Sequence, residues 1–146
     1  MKKFLVLFSF VCMTLCSFGQ INVVGEFKSY KKIATIRATY SYLYQTESGY
    51  EFVSRTSNRF DDDFYFFLGE NVESAVQTCE DLINFLEDAD FENGIVTNKD
   101  ERCTISKMSI FGANCFYLMD RKHAGSCNIT KKELTKIIKK LKGIKE

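Results

Sequence analysis

Residues 33–44 read IATIRATYSYLY. Ala34, Ile36, Ala38, Tyr40, Tyr42 and Tyr44 alternate with Thr35, Arg37, Thr39 and Ser41. Side chains of an extended chain point alternately to its two sides, so this pattern gathers the apolar and aromatic groups on one face. With its β-branched and aromatic content, the segment is expected to be one long half-buried strand. The run QTESG (45–49) then turns the chain into a second strand over 50–56. After a polar loop at 58–63, FYFFL (64–68) is a continuous apolar run, consistent with a central strand covered on both faces.

The period changes from two to 3.6 at Val72. Val72, Ala75, Val76, Cys79, Leu82, Ile83 and Leu86 follow the i, i+3, i+4, i+7 spacing of an amphipathic helix, with Asn71 placed to cap its first turn. Strands are expected again over 103–111 and 115–119, joined at Gly112, with a shorter one near 126–129. A last helix begins at a capping box, Thr130 with Glu133, flanked by Ile129 and Leu134 as a hydrophobic staple. Leu134, Ile137, Ile138 and Leu141 form its apolar stripe. The order β-β-β-α-β-β-(β)-α predicts an α+β fold, an antiparallel sheet with two amphipathic helices on one face. Its two parts resemble each other as strand–strand–helix halves, without a residue-level repeat.

The N-terminus carries a different kind of signal. Lys2 and Lys3 precede a run over 4–16 whose polar side chains are Ser9 and Thr14, and Ser17 and Gly19 put small residues before Gln20. This is the pattern of a secretory signal peptide over residues 1–19, which makes the chain an exported protein, periplasmic or extracellular. The run is shorter than the roughly 20 apolar residues a spanning helix needs. Leu15 and Val11 precede Cys16 and Cys12, where lipid attachment requires a small residue, so no lipid anchor is expected. Residues 20–146 contain no proline and no linker-like run, and they read as one domain without a transmembrane segment.

Export frames the cysteines. Cys79, Cys103, Cys115 and Cys127 remain after cleavage, an even number in an oxidising compartment, and they are candidates for two disulfides. Cys115 with Cys127 across a hairpin, and Cys79 with Cys103 between helix and sheet, is the pairing expected. No CxxC occurs and His123 is the only histidine, so no metal site is expected. Nor is there a phosphate loop, a dinucleotide fingerprint or a metalloprotease helix, and no cofactor is expected. A hydrolase would have to draw on Asp61, Asp62 and Asp63, or on Cys115 with His123, which is the alternative reading of function.

Charge is divided along the chain. Residues 60–101 hold 13 acidic groups and one basic group, whereas residues 102–146 hold 11 basic and three acidic ones. The near-neutral total disfavours a nucleic-acid partner. Lys132, Lys136 and Lys139 of the last helix are candidates for docking an acidic partner or anionic lipid, though the helix has no aromatic anchors, and the favoured reading is that the charged segments are the solvated faces of two helices, adjacent and of opposite charge. Tyr40, Tyr42 and Tyr44, with Tyr50 a further member, are the second candidate surface, suited to a protein or a glycan. Because Ala34, Ile36 and Ala38 share their alternation, this face is expected to pack beneath the helices. The resulting expectation is an exported α+β binding module for a protein or glycan, with an inhibitor or immunity-type protein as one form of it.

Overall fold

The alternation of residues 33–44 runs through a chain reversal instead of along one strand. In the computed structural model, which describes residues 30–38, 40–55, 63–98, 101–110, 112–120 and 125–144, β1 (Lys31–Arg37) ends at Arg37 and β2 (Ser41–Thr46) returns antiparallel beside it. The Tyr40 N–H donates to the Arg37 carbonyl at 3.2 Å across the turn. Reversal resets the phase of burial. Ala34 pairs with Leu43 and both are buried, while Thr35 pairs with Tyr42 and Lys32 with Tyr44 on the other face. The buried positions thus change from even numbers in β1 (Ala34, Ile36) to odd numbers at the start of β2 (Ser41, Leu43).

β3 (Gly49–Ser54) and β4 (Phe64–Gly69) complete a four-stranded antiparallel meander in the order β1-β2-β3-β4. Gly49, at the β2–β3 turn, has φ of 134°, and a Cβ there would lie 2.2 Å from the Gly69 carbonyl oxygen. β4 is therefore an edge strand and not a central one. Phe64, Phe66 and Leu68 point inward and are buried, whereas Tyr65 is 46% exposed and Phe67 half-buried on the outer face.

Helix α1 (Val72–Glu87) follows at once. Asn71 Oδ1 accepts the Ser74 N–H at 2.8 Å and Ser74 Oγ accepts the Asn71 N–H at 3.2 Å, a reciprocal cap that satisfies two otherwise free amides. The second half repeats the plan. β5 (Asn93–Asn98), β6 (Glu101–Ile110), β7 (Ala113–Asp120) and β8 (Ser126–Thr130) form a second antiparallel meander, followed by α2 (Lys131–Leu141). The α+β class and the strand–helix–strand–helix order are as expected. Each half holds four strands, because 33–44 divides in two and β5 precedes the strands expected at 103–119. Gly112, with φ of 79°, lies between β6 and β7.

Both halves bury their apolar faces in one core. α1 and α2 pack side by side, α1 lies on β4 and reaches β7, and α2 bridges β1 and β8. Leu43, Phe52, Phe64 and Leu68 from the first half meet Ile105, Phe116, Leu118 and Ile129 from the second, with Cys79, Leu134, Ile137 and Leu141 between them. Each such side chain contributes about 1.5–3 kcal/mol by burial. No described helix is long and apolar enough to cross a membrane.

Polar contacts also join the halves, the most extensive of them at Glu133. Arg37 Nε and Nη2 donate to the two oxygens of Glu133 at 2.7 and 2.8 Å, and Nη2 also reaches the Asn128 carbonyl at 3.2 Å. The same carboxylate accepts the Thr130 N–H at 2.9 Å and its hydroxyl at 3.0 Å, closing the expected capping box of α2. The helices also exchange exposed charges, Lys131 with Glu87 and, at 3.1 Å, Lys142 with Glu80. Acidic and basic segments therefore face each other, in pairs worth about 0–1 kcal/mol each when exposed. Glu133→Ala is expected to lower the stability of the protein by about 2 kcal/mol, since it strands the Arg37 guanidinium and opens the cap. Glu80→Ala should change it by under about 0.5 kcal/mol. Urea unfolding midpoints distinguish the two, and equal effects would contradict this ranking.

Candidate functional site

Inward burial of alternate residues leaves a defined outer face on the first sheet. β2 places Tyr42 and Tyr44 there, β3 places Glu51 and Val53, and β4 places Tyr65 and Phe67. Tyr30, just before β1, is 47% exposed and meets Tyr44 edge-on at 6.0 Å between centroids. Tyr42 and Tyr44 are also 6.0 Å apart, tilted at 54°. The rings of Tyr30, Tyr42, Tyr44 and Tyr65 bound an open depression of about 240 Å³, with Val53, 5% exposed, at its base and Arg55 and Asp63 at its rim. Lys32 Nζ lies 4.0 Å and the Arg55 guanidinium 5.6 Å from the Tyr42 centroid, both within cation–π range.

Two of these phenols, Tyr30 and Tyr65, are shifted toward the neutral form. Partial burial raises the Tyr30 hydroxyl above its usual pKa, and the nearby Glu51 charge adds to the shift. Tyr65 is raised by partial burial first and then by Asp63. Each hydroxyl consequently remains a donor and an acceptor through the physiological range.

The expected tyrosines separate. Tyr42 and Tyr44 come together in the depression. Tyr40 is exposed in the β1–β2 turn and does not line it. Tyr50 is only 6% exposed and belongs to the core, because its position in β3 has the opposite parity from Glu51 and Val53. The face does not pack beneath the helices as expected; the turn after Arg37 rotates it outward. Tyr30, Lys32, Arg55, Asp63 and Tyr65 join it from other segments. Tyr65 carried a signal in sequence, a hydroxyl-bearing ring within an otherwise apolar run.

Lys132, Lys136 and Lys139 are exposed on α2. Lys136 Nζ donates to the Ile36 carbonyl at 2.6 Å, so it helps seat the helix on β1. Since α2 contributes to the core on the inner side of the sheet, these lysines and the tyrosine depression are separate surfaces.

No disulfide joins Cys79, Cys103, Cys115 and Cys127, all of which are buried, against the two expected. Register explains the failure of the Cys115–Cys127 pair. Cys115 lies opposite Thr130 and Cys127 opposite Leu118, three positions along β7, which puts the two thiols on opposite faces of the sheet. Cys79 is fully enclosed on the buried face of α1, and Cys103 Sγ donates to the Thr104 carbonyl at 3.5 Å. Burial pushes the Cys79 thiol up to about 12, with Glu80 adding to it, and pushes Cys127 well above its ordinary value. Cys115, 1% exposed, is raised by burial and then by Glu133. A nucleophilic cysteine needs the opposite shift. His123, Asp61, Asp62 and the signal-like residues 1–19 lie outside the described residues.

Comparison with known proteins finds no match: no family model, no curated protein and no solved structure is similar to this chain.

The thiols make a measurable pH signature. Folding holds the Cys79 proton more tightly than the unfolded chain does, so its contribution is complete below about pH 9 and is lost as pH rises toward about 12. Stability is expected to fall across that window, and less steeply in Cys79→Ala. Parallel pH profiles of the two proteins in urea would contradict the burial of this thiol.

Proposed function

We propose that the protein is an exported, non-enzymatic binding module that engages a protein or glycan through the outward tyrosine face of its first sheet. The observation that carries this reading is the placement of Tyr30, Tyr42, Tyr44 and Tyr65 around an open depression while the core is completed by other residues. Tyrosine suits a surface that is dry when occupied and wet when free, because an apolar ring ends in a hydroxyl. Rigid rings also lose little conformational entropy on binding, having only two side-chain torsions. Such a face suits an inhibitor or immunity-type protein, which acts by covering another molecule. Export is part of the proposal and draws on residues 1–19, where a charged start, an apolar run and small residues before Gln20 follow one another.

Immobilised protein of residues 20–146 should capture its partner from envelope extract or culture medium. Because ring contacts dominate, capture should persist at about 0.5 M salt, where charges are screened beyond roughly 4 Å. A Tyr42→Ala/Tyr44→Ala protein should capture at least tenfold less, equivalent to about 1.4 kcal/mol, while retaining its melting temperature within a few degrees. A Lys132→Ala/Lys136→Ala/Lys139→Ala protein should still capture. Loss on the lysine side and retention on the tyrosine side would overturn the assignment of the face.

A further inference from the structure

We infer that the tyrosine depression takes one neutral sugar ring of a glycan, an inference that rests on the binding role proposed above. Size argues first. At about 240 Å³ the space falls below the roughly 300–1,000 Å³ of sites that enclose a drug-sized ligand. Its walls meet at angles, 84° between Tyr30 and Tyr44 and 54° between Tyr42 and Tyr44, so they form a recess and not a flat platform. A recess of that size admits a single six-membered ring with its substituents.

The chemistry of the lining points the same way. A sugar ring has a face of C–H groups that is weakly electropositive, which complements the negative face of an aromatic ring. Around its edge are hydroxyls that both donate and accept. The rim offers both partners: Arg55 can only donate, Asp63 offers carboxyl oxygens that accept, and the hydroxyls of Tyr30 and Tyr65 do either.

Charge selects among ligands. Lys32 and Arg55 stand against Glu51 and Asp63 on this face, so it carries no net excess of either sign. A cationic side chain or methylated ammonium would meet a Tyr42 ring that already has Lys32 at 4.0 Å and Arg55 at 5.6 Å. An anionic ligand would meet Asp63 at the rim. A neutral ligand that mixes an apolar face with hydroxyls is what this balance favours.

The test is an array of defined oligosaccharides, neutral gluco-, galacto- and N-acetylhexosamine chains beside uronic-acid and sulfated ones, followed by titration of the best binder. The chain has no tryptophan and four of its seven tyrosines line the depression, so the change in tyrosine emission on titration reports on the site. Neutral glycans should be retained, and their affinity should fall at least tenfold in Tyr65→Ala and in Arg55→Ala. Tyr65→Phe should keep most of the affinity, since it keeps the ring. Tyr65 and Arg55 are exposed, so melting curves of these variants should overlay the parent. Retention confined to acidic glycans, or affinity unchanged in Tyr65→Ala and Arg55→Ala, overturns the inference. Absence of glycan binding together with protein capture that depends on Tyr42 and Tyr44 also overturns it while the binding face stands. Absence of both overturns the two together.

Discussion

The Glu133 carboxylate is shared by the two halves of the molecule. It completes the first turn of α2 through Thr130, and it receives a two-pronged contact from Arg37 at the end of β1. A largely buried carboxylate is costly unless its lone pairs are filled, and here donors from two distant segments fill them. The position of Arg37 gives the contact wider consequence. At this residue the chain leaves β1 and turns into β2, so the clamp fixes the point of reversal. Where the reversal falls determines which parity of β2 faces the core. With Leu43 inward, Tyr42 and Tyr44 must point outward.

From that constraint follows the division of the first sheet into two different surfaces. Its inner face is aliphatic and phenylalanine-rich and is closed by the helices. Its outer face is tyrosine-rich and balanced in charge. The second sheet has the same strand order but a different outer face, where Ile95, Met108 and Met119 are exposed among Thr104 and Ser106. Two similar frameworks thus present dissimilar surfaces, and the aromatic recess lies on the first. Two ion pairs, Lys131 with Glu87 and Lys142 with Glu80, join the oppositely charged helices.

What could be read in the sequence was what local chemistry decides. The caps of both helices were legible because Asn71, Thr130 and Glu133 act within one turn of where they stand. The apolar stripes of the helices and the turns at Gly49 and Gly112 were legible for the same reason. The β1–β2 reversal was not, because no glycine or proline marks residues 37–41 and the alternation continues across them in sequence while inverting in space. β5, an edge strand reading NGIVTN, carries little apolar signal. Cysteine pairing depends on register between strands, which no single segment encodes: a displacement of three positions separates Cys115 from Cys127 across the sheet. The candidate site was half legible for a related reason, since Tyr42 and Tyr44 lie in one strand whereas Tyr30, Arg55, Asp63 and Tyr65 arrive from elsewhere.

Nitration of the native protein followed by peptide mass mapping reads out the outward orientation of the tyrosines. Tyr30, Tyr65, Tyr42 and Tyr44 are expected to react under native conditions, while Tyr50 remains protected until the protein unfolds. Protection of Tyr42 and Tyr44 equal to that of Tyr50 would contradict the account.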